Sequence, residues 1–434
     1  MVSVFAPANY RPINFLMNPP TQTFDGLGIA PGMLARLDSL KFKIPTPIQV
    51  KAIPIAIEGK DLIGIAQTGT GKTLAFGVPL IQRLAAMPAT SQGLVLLPTR
   101  ELAEQVQMSL KQIAPGLPIA LVIGGAPARL QVAALRRQPK IIIATPGRLI
   151  DLMQERVANL RNVAILILDE ADRMLDMGFA PQIKKILAEV PKQKQTLLFS
   201  ATMPTEIGKL ATQYMQLPLR IEVAVSGTAS EIVEQEVFVV PRDRKTQLLE
   251  KILTEYRGTI LIFSRTKHGA RKLAILIREM GHTADEIHAN RSLGQRRSAL
   301  AGFKSGKYRI LVATDIAARG IDVTGIELVI NYDLPENPED YVHRIGRTGR
   351  AGHAGKAISF AAPDQARDVN AIERLIRIRL PLSKTPAVLP PPRVMPPQSH
   401  DRAMPPPRRN SGGRSSSGRS SSGRSSSAGG FRRR

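Results

Sequence analysis

The stretch Ala66-Gln67-Thr68-Gly69-Thr70-Gly71-Lys72-Thr73 has the residue types and spacing of a phosphate cradle. An apolar run, Leu62-Ile63-Gly64-Ile65, leads into it and reads as a buried strand, and a helix begins at Thr73-Leu74-Ala75-Phe76. Glycines let backbone N–H groups approach phosphate oxygens, and the helix N-terminus adds the positive end of its dipole. In such a loop Lys72 reaches the β- and γ-phosphates and the Thr73 hydroxyl ligates Mg²⁺. The strict pattern wants Gly where Ala66 stands, and the loop alone is also readable as a glycine turn before a helix. A second candidate is Asp169-Glu170, which ends the aliphatic run from Val163 to Leu168. Acids closing a buried run are costly unless they hold a cation. Asp169 is placed to hold Mg²⁺, directly or through water, and Glu170 to orient and deprotonate an attacking water. Without the phosphate loop, the pair reads equally well as acids capping the next helix.

A third candidate precedes the loop. In Phe42-Lys43-Ile44-Pro45-Thr46-Pro47-Ile48-Gln49 two prolines fix an extended turn, and Gln49 opens a helix running through Ile53. A glutamine amide carries both donor and acceptor and matches the N6/N7 face of adenine. Phe42 offers a ring to stack on the base. Taken alone, an ordinary turn with a core Phe is the better reading.

The elements that must position these residues follow an α/β rhythm. Apolar runs Leu94–Leu97, Leu121–Ile123, Ile141–Ile143, Val163–Leu168 and Thr196–Phe199 alternate with helical patterns, which predicts βαβ units and a parallel sheet. Ligands of such sheets bind beyond the carboxyl ends of the strands. Polar motifs stand there: Pro98-Thr99-Arg100-Glu101, Gly124-Gly125, Thr145-Pro146-Gly147-Arg148, Asp169-Glu170-Ala171-Asp172 and Ser200-Ala201-Thr202. Pro218 to Ser230 breaks the rhythm and places a linker at 221–231. A second series follows, with strands at Val237–Val240, Thr259–Phe263, Ile310–Ala313, Leu328–Ile330 and Ala357–Phe360. It has no phosphate loop and reads as a relative of the first that serves its site with arginines. The expected organisation is an extension over 1–22, a first domain over 23–220, a second over 232–384 and a tail over 385–434.

Composition narrows the function classes. The chain has 434 residues, a net charge of +25 and no cysteine, so disulfides and thiolate metal sites are excluded. Its six histidines show no ligand spacing, and His282 and His288 read as surface residues. Residues 385–434 hold ten arginines and one aspartate, or +9, which leaves +16 on the remainder. A basic body with a basic tail suits a polyanion, and nucleic acid is the commonest. The tail is rich in Pro, then repeats Gly-Arg-Ser-Ser-Ser, a composition that packs no core and predicts disorder. No secretory signal is evident from Met1 to Pro20, and the aliphatic runs are too short to span a bilayer.

From about Phe24 to Phe360 these motifs, in this order, resemble the DEAD-box family of RNA helicases of superfamily 2. The wording from Ala313 to Arg350 and the Phe24-Asp25-Gly26-Leu27-Gly28 stretch resemble bacterial RhlE-like members. The resemblance implies two tandem RecA-like parallel-sheet domains, ATP and Mg²⁺ as cofactors, RNA as partner, and a cytoplasmic, membrane-free protein associated with ribosomal or RNA-degradation assemblies. It implies that Phe42 and Gln49 read adenine, that Ala66 to Thr73 bind the triphosphate and that Asp322 contacts the ribose. It gives Ser200, Thr202 and His343 the coupling of hydrolysis to domain closure, and makes Arg347 and Arg350 arginine fingers. It places Pro98, Thr99, Arg100, Gly125, Thr145 and Arg148 on the RNA backbone in the first domain, with Arg265 and Thr314 in the second. Two positions depart from the pattern: Lys41, where the family commonly has Gly, and Leu293, where a Gln usually stands three residues before Arg296. The implied activity is RNA-stimulated ATP hydrolysis coupled to local strand separation. A DNA translocase and a weakly hydrolysing RNA clamp share the same core; intact Lys72, Glu170, Arg347 and Arg350 argue against the clamp.

Overall fold

The structure is a computed structural model that describes residues 23–391 except 68, 224–232, 319–322, 324, 350–354 and 387–388. Seven parallel strands form the first sheet: β1 (Leu62–Ile65), β2 (Gln92–Leu96), β3 (Ile119–Val122), β4 (Ile141–Ala144), β5 (Val163–Leu168), β6 (Gln195–Ser200) and β7 (Leu219–Glu222), in the order β3-β4-β2-β5-β6-β1-β7. The central strands are buried on both faces because helices cover both, which is why they read as unbroken Val/Ile/Leu runs. One apolar cluster lies on each side of the sheet.

The second sheet comprises β8 (Val233–Val239), β9 (Ile260–Phe263), β10 (Ala284–Ile287), β11 (Ile310–Ala313), β12 (Leu328–Asn331), β13 (Gly355–Ala361) and β14 (Leu382–Ser383), in the order β10-β11-β9-β12-β13-β8-β14. Counted from its own first strand, this is the same order as in the first sheet. The second domain is therefore a topological copy of the first. After β1 the first domain has the glycine loop; after β8 the second has Pro241 and a short 3₁₀ turn, Arg242–Arg244. The cradle is absent at the one place the shared topology would put it.

Several sequence expectations need correction. Leu219–Glu222, which straddles the expected start of the linker at 221, is β7, paired with β1 from Leu62↔Leu219 to Ile65↔Glu222. His288, expected at the surface, directly follows β10 and is 3% exposed. The tail expected from Thr385 starts later. Thr385 Oγ1 donates to the Val239 carbonyl, Leu389 packs on the second domain's core and the Pro390 carbonyl accepts from Gln247 Nε2 at 2.7 Å. Residues 392–434, which contain the arginine repeat, lie outside the described residues. Lys41 explains one departure. It ends the helix Pro31–Ser39 with φ 65, and the Phe42 N–H reaches back to the Leu37 carbonyl at 3.0 Å. Glycine suits that left-handed position; lysine there costs roughly 1–2 kcal/mol.

Among the described residues no helix is long and apolar enough to cross a membrane.

The docked strap makes a testable difference between two truncations. Ending the chain after Lys384 should destabilise the second domain by about 1–2 kcal/mol, from one half-buried Leu and two lost hydrogen bonds. Ending it after Arg393 should cost nothing measurable. Urea unfolding of the two truncations separates these outcomes.

Candidate active site

The phosphate loop leaves β1 and turns into the helix Lys72–Ala86 through two left-handed glycines, Gly69 and Gly71, each at φ 87. Gly71 also has no room for a side chain: a Cβ there would collide with the Gln49 amide. Lys72 Nζ donates to the Ala66 carbonyl at 2.9 Å, and Thr70 Oγ1 to the Gln67 carbonyl at 2.7 Å, so the loop is closed on its own backbone. Gln49 is 3% exposed. Its Oε1 accepts from the Thr46 N–H at 2.9 Å and its Nε2 donates to the Gly71 carbonyl at 3.0 Å. Gln49 thus ties the start of the helix Pro47–Ile57 to the phosphate loop, while its amide keeps one N–H and one lone pair for a base. Phe42 is 40% exposed, as a stacking platform requires. Thr73 is half-buried beside the loop, and Thr68 lies outside the described residues.

The two acids stand at the end of β5. Asp169 is 3% exposed and accepts the Glu170 N–H at 2.9 Å. Burial pushes its carboxyl up to about 6; Lys72 pulls the other way, and Glu170 and Asp172 add to the rise. Glu170 sits in the left-handed region at φ 52 and pairs with Arg173, whose Nη1 lies 2.8 Å from its Oε2 with both side chains buried. Among the described residues no group of three or more His, Cys, Asp or Glu side chains is gathered for a metal ion. A buried Asp169 carboxylate whose charge is felt by Lys72 of the phosphate loop fits Mg²⁺, which keeps several waters and takes substrate phosphates as ligands.

A residue not singled out as functional joins the acids to the next strand. Asp172 Oδ2 accepts from the N–H groups of Ala201 (3.0 Å) and Thr202 (2.8 Å) and from Thr202 Oγ1 (3.0 Å). Its own N–H donates to Ser200 Oγ at 3.2 Å. The sequence signal was available: a third acid, spaced to fall on the first turn of a helix, beside a Ser-Ala-Thr at a neighbouring strand end.

The strand order sorts the remaining residues. Pro98, Thr99 and Arg100 follow β2, Gly125 follows β3, and Thr145 and Arg148 follow β4; these three strands are one contiguous side of the sheet. The loop, the acids and Ser200-Ala201-Thr202 follow β1, β5 and β6, on the other side. On the first side Thr99 Oγ1 caps the helix Arg100–Ile113, and the Arg100 guanidinium lies directly over Gly124 and Gly125, where a Cβ would displace it. Thr145 begins the helix Pro146–Gln154, and Arg148 is 3.7 Å from Asp151. The second domain repeats the division. Arg265, exposed after β9, is anchored by its N–H on Asp333, and Thr314 follows β11, both on the copied side.

His343 and Arg347 come from the helix Pro338–Ile345 and the turn after it. They line a small cleft with Arg173 of the first domain, together with Phe263, Asp315 and Arg344. Arg347 Nε donates to the His343 carbonyl at 3.2 Å. Arg344, which the sequence did not distinguish, is the scaffold: it forks onto Asp315 at 2.5 and 2.7 Å, donates to Asn331 and the Asp333 carbonyl, and lies over the Phe263 ring. Asp322 and Arg350 lie outside the described residues.

Two copied α/β sheets, the first with a phosphate loop and the second bringing His343 and Arg347 to a cleft beside Arg173, define a tandem RecA-like ATPase. The sequence matches the family described as DEAD/DEAH box helicase over residues 46–210 and the helicase conserved C-terminal domain over 244–352. It is 41% identical to the DEAD-box ATP-dependent RNA helicase CshA of Streptococcus pneumoniae, covering 82% of this chain and 69% of CshA. It is 44% identical to the ATP-dependent RNA helicase DBP2 of Scheffersomyces stipitis, over 79% of this chain and 67% of DBP2. The chain belongs to the DEAD-box family of ATP-dependent RNA helicases. Its structure resembles S. cerevisiae Dbp5 bound to RNA and ADP BeF3, with a TM-score of 0.75 at 29% identity over 84% of this chain and 96% of that one. It also resembles Mss116p bound to ssRNA and AMP-PNP, with a TM-score of 0.80 at 28% identity over 88% and 83%.

Because the folded Asp169 carboxyl titrates higher than the unfolded one, the native state binds the extra proton between about pH 4 and pH 6. The burial penalty is therefore absent below that window and complete above it. Asp169→Asn should raise the stability of nucleotide-free protein, with chelator present, by about 1–3 kcal/mol at pH 7.5. The gain should shrink at pH 5. Urea titrations at the two pH values check the sign.

Proposed function

We propose that this chain couples RNA-stimulated ATP hydrolysis to local, non-processive separation of RNA strands. The observation that carries the reading is the sorting of strand ends in both domains: phosphate loop, acids and arginine cleft on one side, Arg100, Gly125, Thr145, Arg148, Arg265 and Thr314 on the other. ATP held by the first domain and RNA laid across the second side of both would each favour closure. Linkage then makes each tighten the other.

Within that reading, Lys72 and the loop backbone bind the triphosphate, Gln49 and Phe42 read the adenine, and Asp322 takes the ribose. Asp169 and Thr73 would hold a magnesium ion, which neutralises charge on phosphate oxygens when bound. Glu170 orients the attacking water and accepts its proton, with Arg173 holding the carboxylate. Arg347 and Arg350 stabilise the transferring phosphoryl, worth ~10³ to 10⁵ in rate for an arginine finger. Asp172, through Ser200, Ala201 and Thr202, and His343 across the cleft connect the acids to domain closure. The RhlE-like branch is supported by the wording from Ala313 to Arg350. Cytoplasmic residence and association with ribosomal or RNA-degradation assemblies belong to the same reading and rest on the family resemblance alone. The residues after Arg393 form an RNA tether, supported by their arginines.

Steady-state ATPase with RNA, with DNA of the same sequence and with neither tests the reading; stimulation by DNA equal to that by RNA would overturn the substrate. Glu170→Gln should keep RNA bound in the presence of ATP while lowering turnover at least ~10²-fold. Arg347→Ala should lower turnover by ~10³-fold or more with ATP affinity changed little. RNA release from Glu170→Gln as fast as from wild type would remove the role given to Glu170.

A further inference from the structure

The two domains also meet along a pair of helices, Arg100–Ile113 of the first and Leu293–Lys304 of the second. Arg297 forks onto the Glu104 carboxylate, with Nε 3.0 Å from Oε2 and Nη2 on Oε1. Arg296 Nη2 lies 2.9 Å from Glu101 Oε2, and both of these side chains are buried. Leu293, three and four residues before these arginines and so on the same helix face, is 7% exposed. It belongs to the apolar cluster of the first domain, and among the described residues it is the one member the second domain supplies. An apolar side chain thus crosses the domain boundary at the position where the family usually carries a glutamine.

We propose that Leu293, Arg297 and Glu104 are positioning residues for the ATPase: they hold the domains closed through protein contacts alone, so ATP without RNA already produces a share of the closed state. The inference rests on the reading that hydrolysis requires closure. An apolar seat and a forked ion pair are contacts between protein groups and form whether or not RNA is present. Removing the seat should therefore lower RNA-free turnover and raise the RNA needed for half-maximal stimulation by the same factor, because both draw on one closing equilibrium. Turnover at saturating RNA, where binding completes closure, should hold.

The test uses the full-length chain. Leu293→Ala should cut RNA-free ATPase about tenfold, the order expected from uncovering a buried Leu, and raise half-maximal RNA about tenfold. Saturated turnover should stay within about twofold of wild type. Glu104→Arg and Arg297→Glu should each cut RNA-free ATPase about fivefold, and the two together should restore it to within about twofold. The rescue separates positioning from misfolding. The chain has no cysteine, so dyes on Lys111→Cys and Lys272→Cys report domain closure by energy transfer with AMP-PNP and Mg²⁺ and without RNA. Wild type should show more transfer than Leu293→Ala. Equal transfer in the two, or an unchanged RNA-free rate with weakened RNA binding in Leu293→Ala, would overturn the proposal and make position 293 an RNA contact. Wild type that closes with nucleotide but shows no RNA-stimulated turnover would instead overturn the proposed function and leave the clasp standing.

Discussion

One carboxylate oxygen, Asp172 Oδ2, gathers three donors from the end of β6: the backbone N–H groups of Ala201 and Thr202 and the Thr202 hydroxyl. Those N–H groups have passed beyond the ladder of β6. Without a buried acceptor each would cost a desolvation penalty of ~1–3 kcal/mol. The acid in turn is tolerable in the interior because the donors satisfy it. The arrangement exists only because β5 and β6 are adjacent and parallel, so both strand ends emerge at one edge. It fixes Ala171 and Arg173 on either side of it. Arg173 then reaches Glu170, whose left-handed backbone is the kind of local strain that persists where surroundings over-determine a residue. Direct hydrogen bonds thereby join the turn that carries the acids to Ser200-Ala201-Thr202.

The identical strand order of the two sheets gives the second domain, which has no phosphate loop, the same two sets of strand ends as the first. In both copies strands three, four and two present one set of ends, and five, six and one the other. Facing the copies brings like side to like side. In the second domain the cleft side of the sheet is organised by Arg344. Its fork onto Asp315 and its bonds to Asn331 and the Asp333 carbonyl lock the helix Pro338–Ile345 to the ends of β11 and β12. His343, the residue before that anchor, and Arg347, three residues after it, are held at the cleft rather than left to wander as long side chains on a surface.

What was legible in the sequence was whatever the backbone dictates locally. The phosphate loop shows because its glycines are needed at positive φ and close approach. The aliphatic strands show because burial on both faces leaves no alternation to disguise them. The short strands that were missed are those whose composition follows a different constraint. β10 is Ala284-Asp285-Glu286-Ile287, with its acids engaged by Arg291 and Arg278, and β7 is an edge strand with exposed Arg220 and Glu222. Neither has an apolar run to detect. Long-range pairings were illegible for a similar reason. Gln49 was read as a base reader, but nothing in its neighbourhood shows that Gly71, 22 residues away, occupies one of its donors. Leu389 sits among prolines, which signal a solvated chain, and only the core of the second domain shows why a leucine stands there.

The basic body sets a last constraint. With +16 outside the tail, closing the domains brings like charge together, and the cost falls as salt screens it over a Debye length of about 8–10 Å. The helix pair answers this locally: its acids, Glu101 and Glu104, are on the first domain and its bases, Arg296 and Arg297, on the second. The sign is complementary where the surfaces touch, although the partners repel at long range. Glu101 and Arg296 are buried, and burial pushes the carboxyl up and the guanidinium down, so each raises the cost of leaving the other unpaired. Such a pair contributes more to register than to net attraction. The attraction must come from the apolar contact beside it, and Leu293 is the side chain placed to supply it.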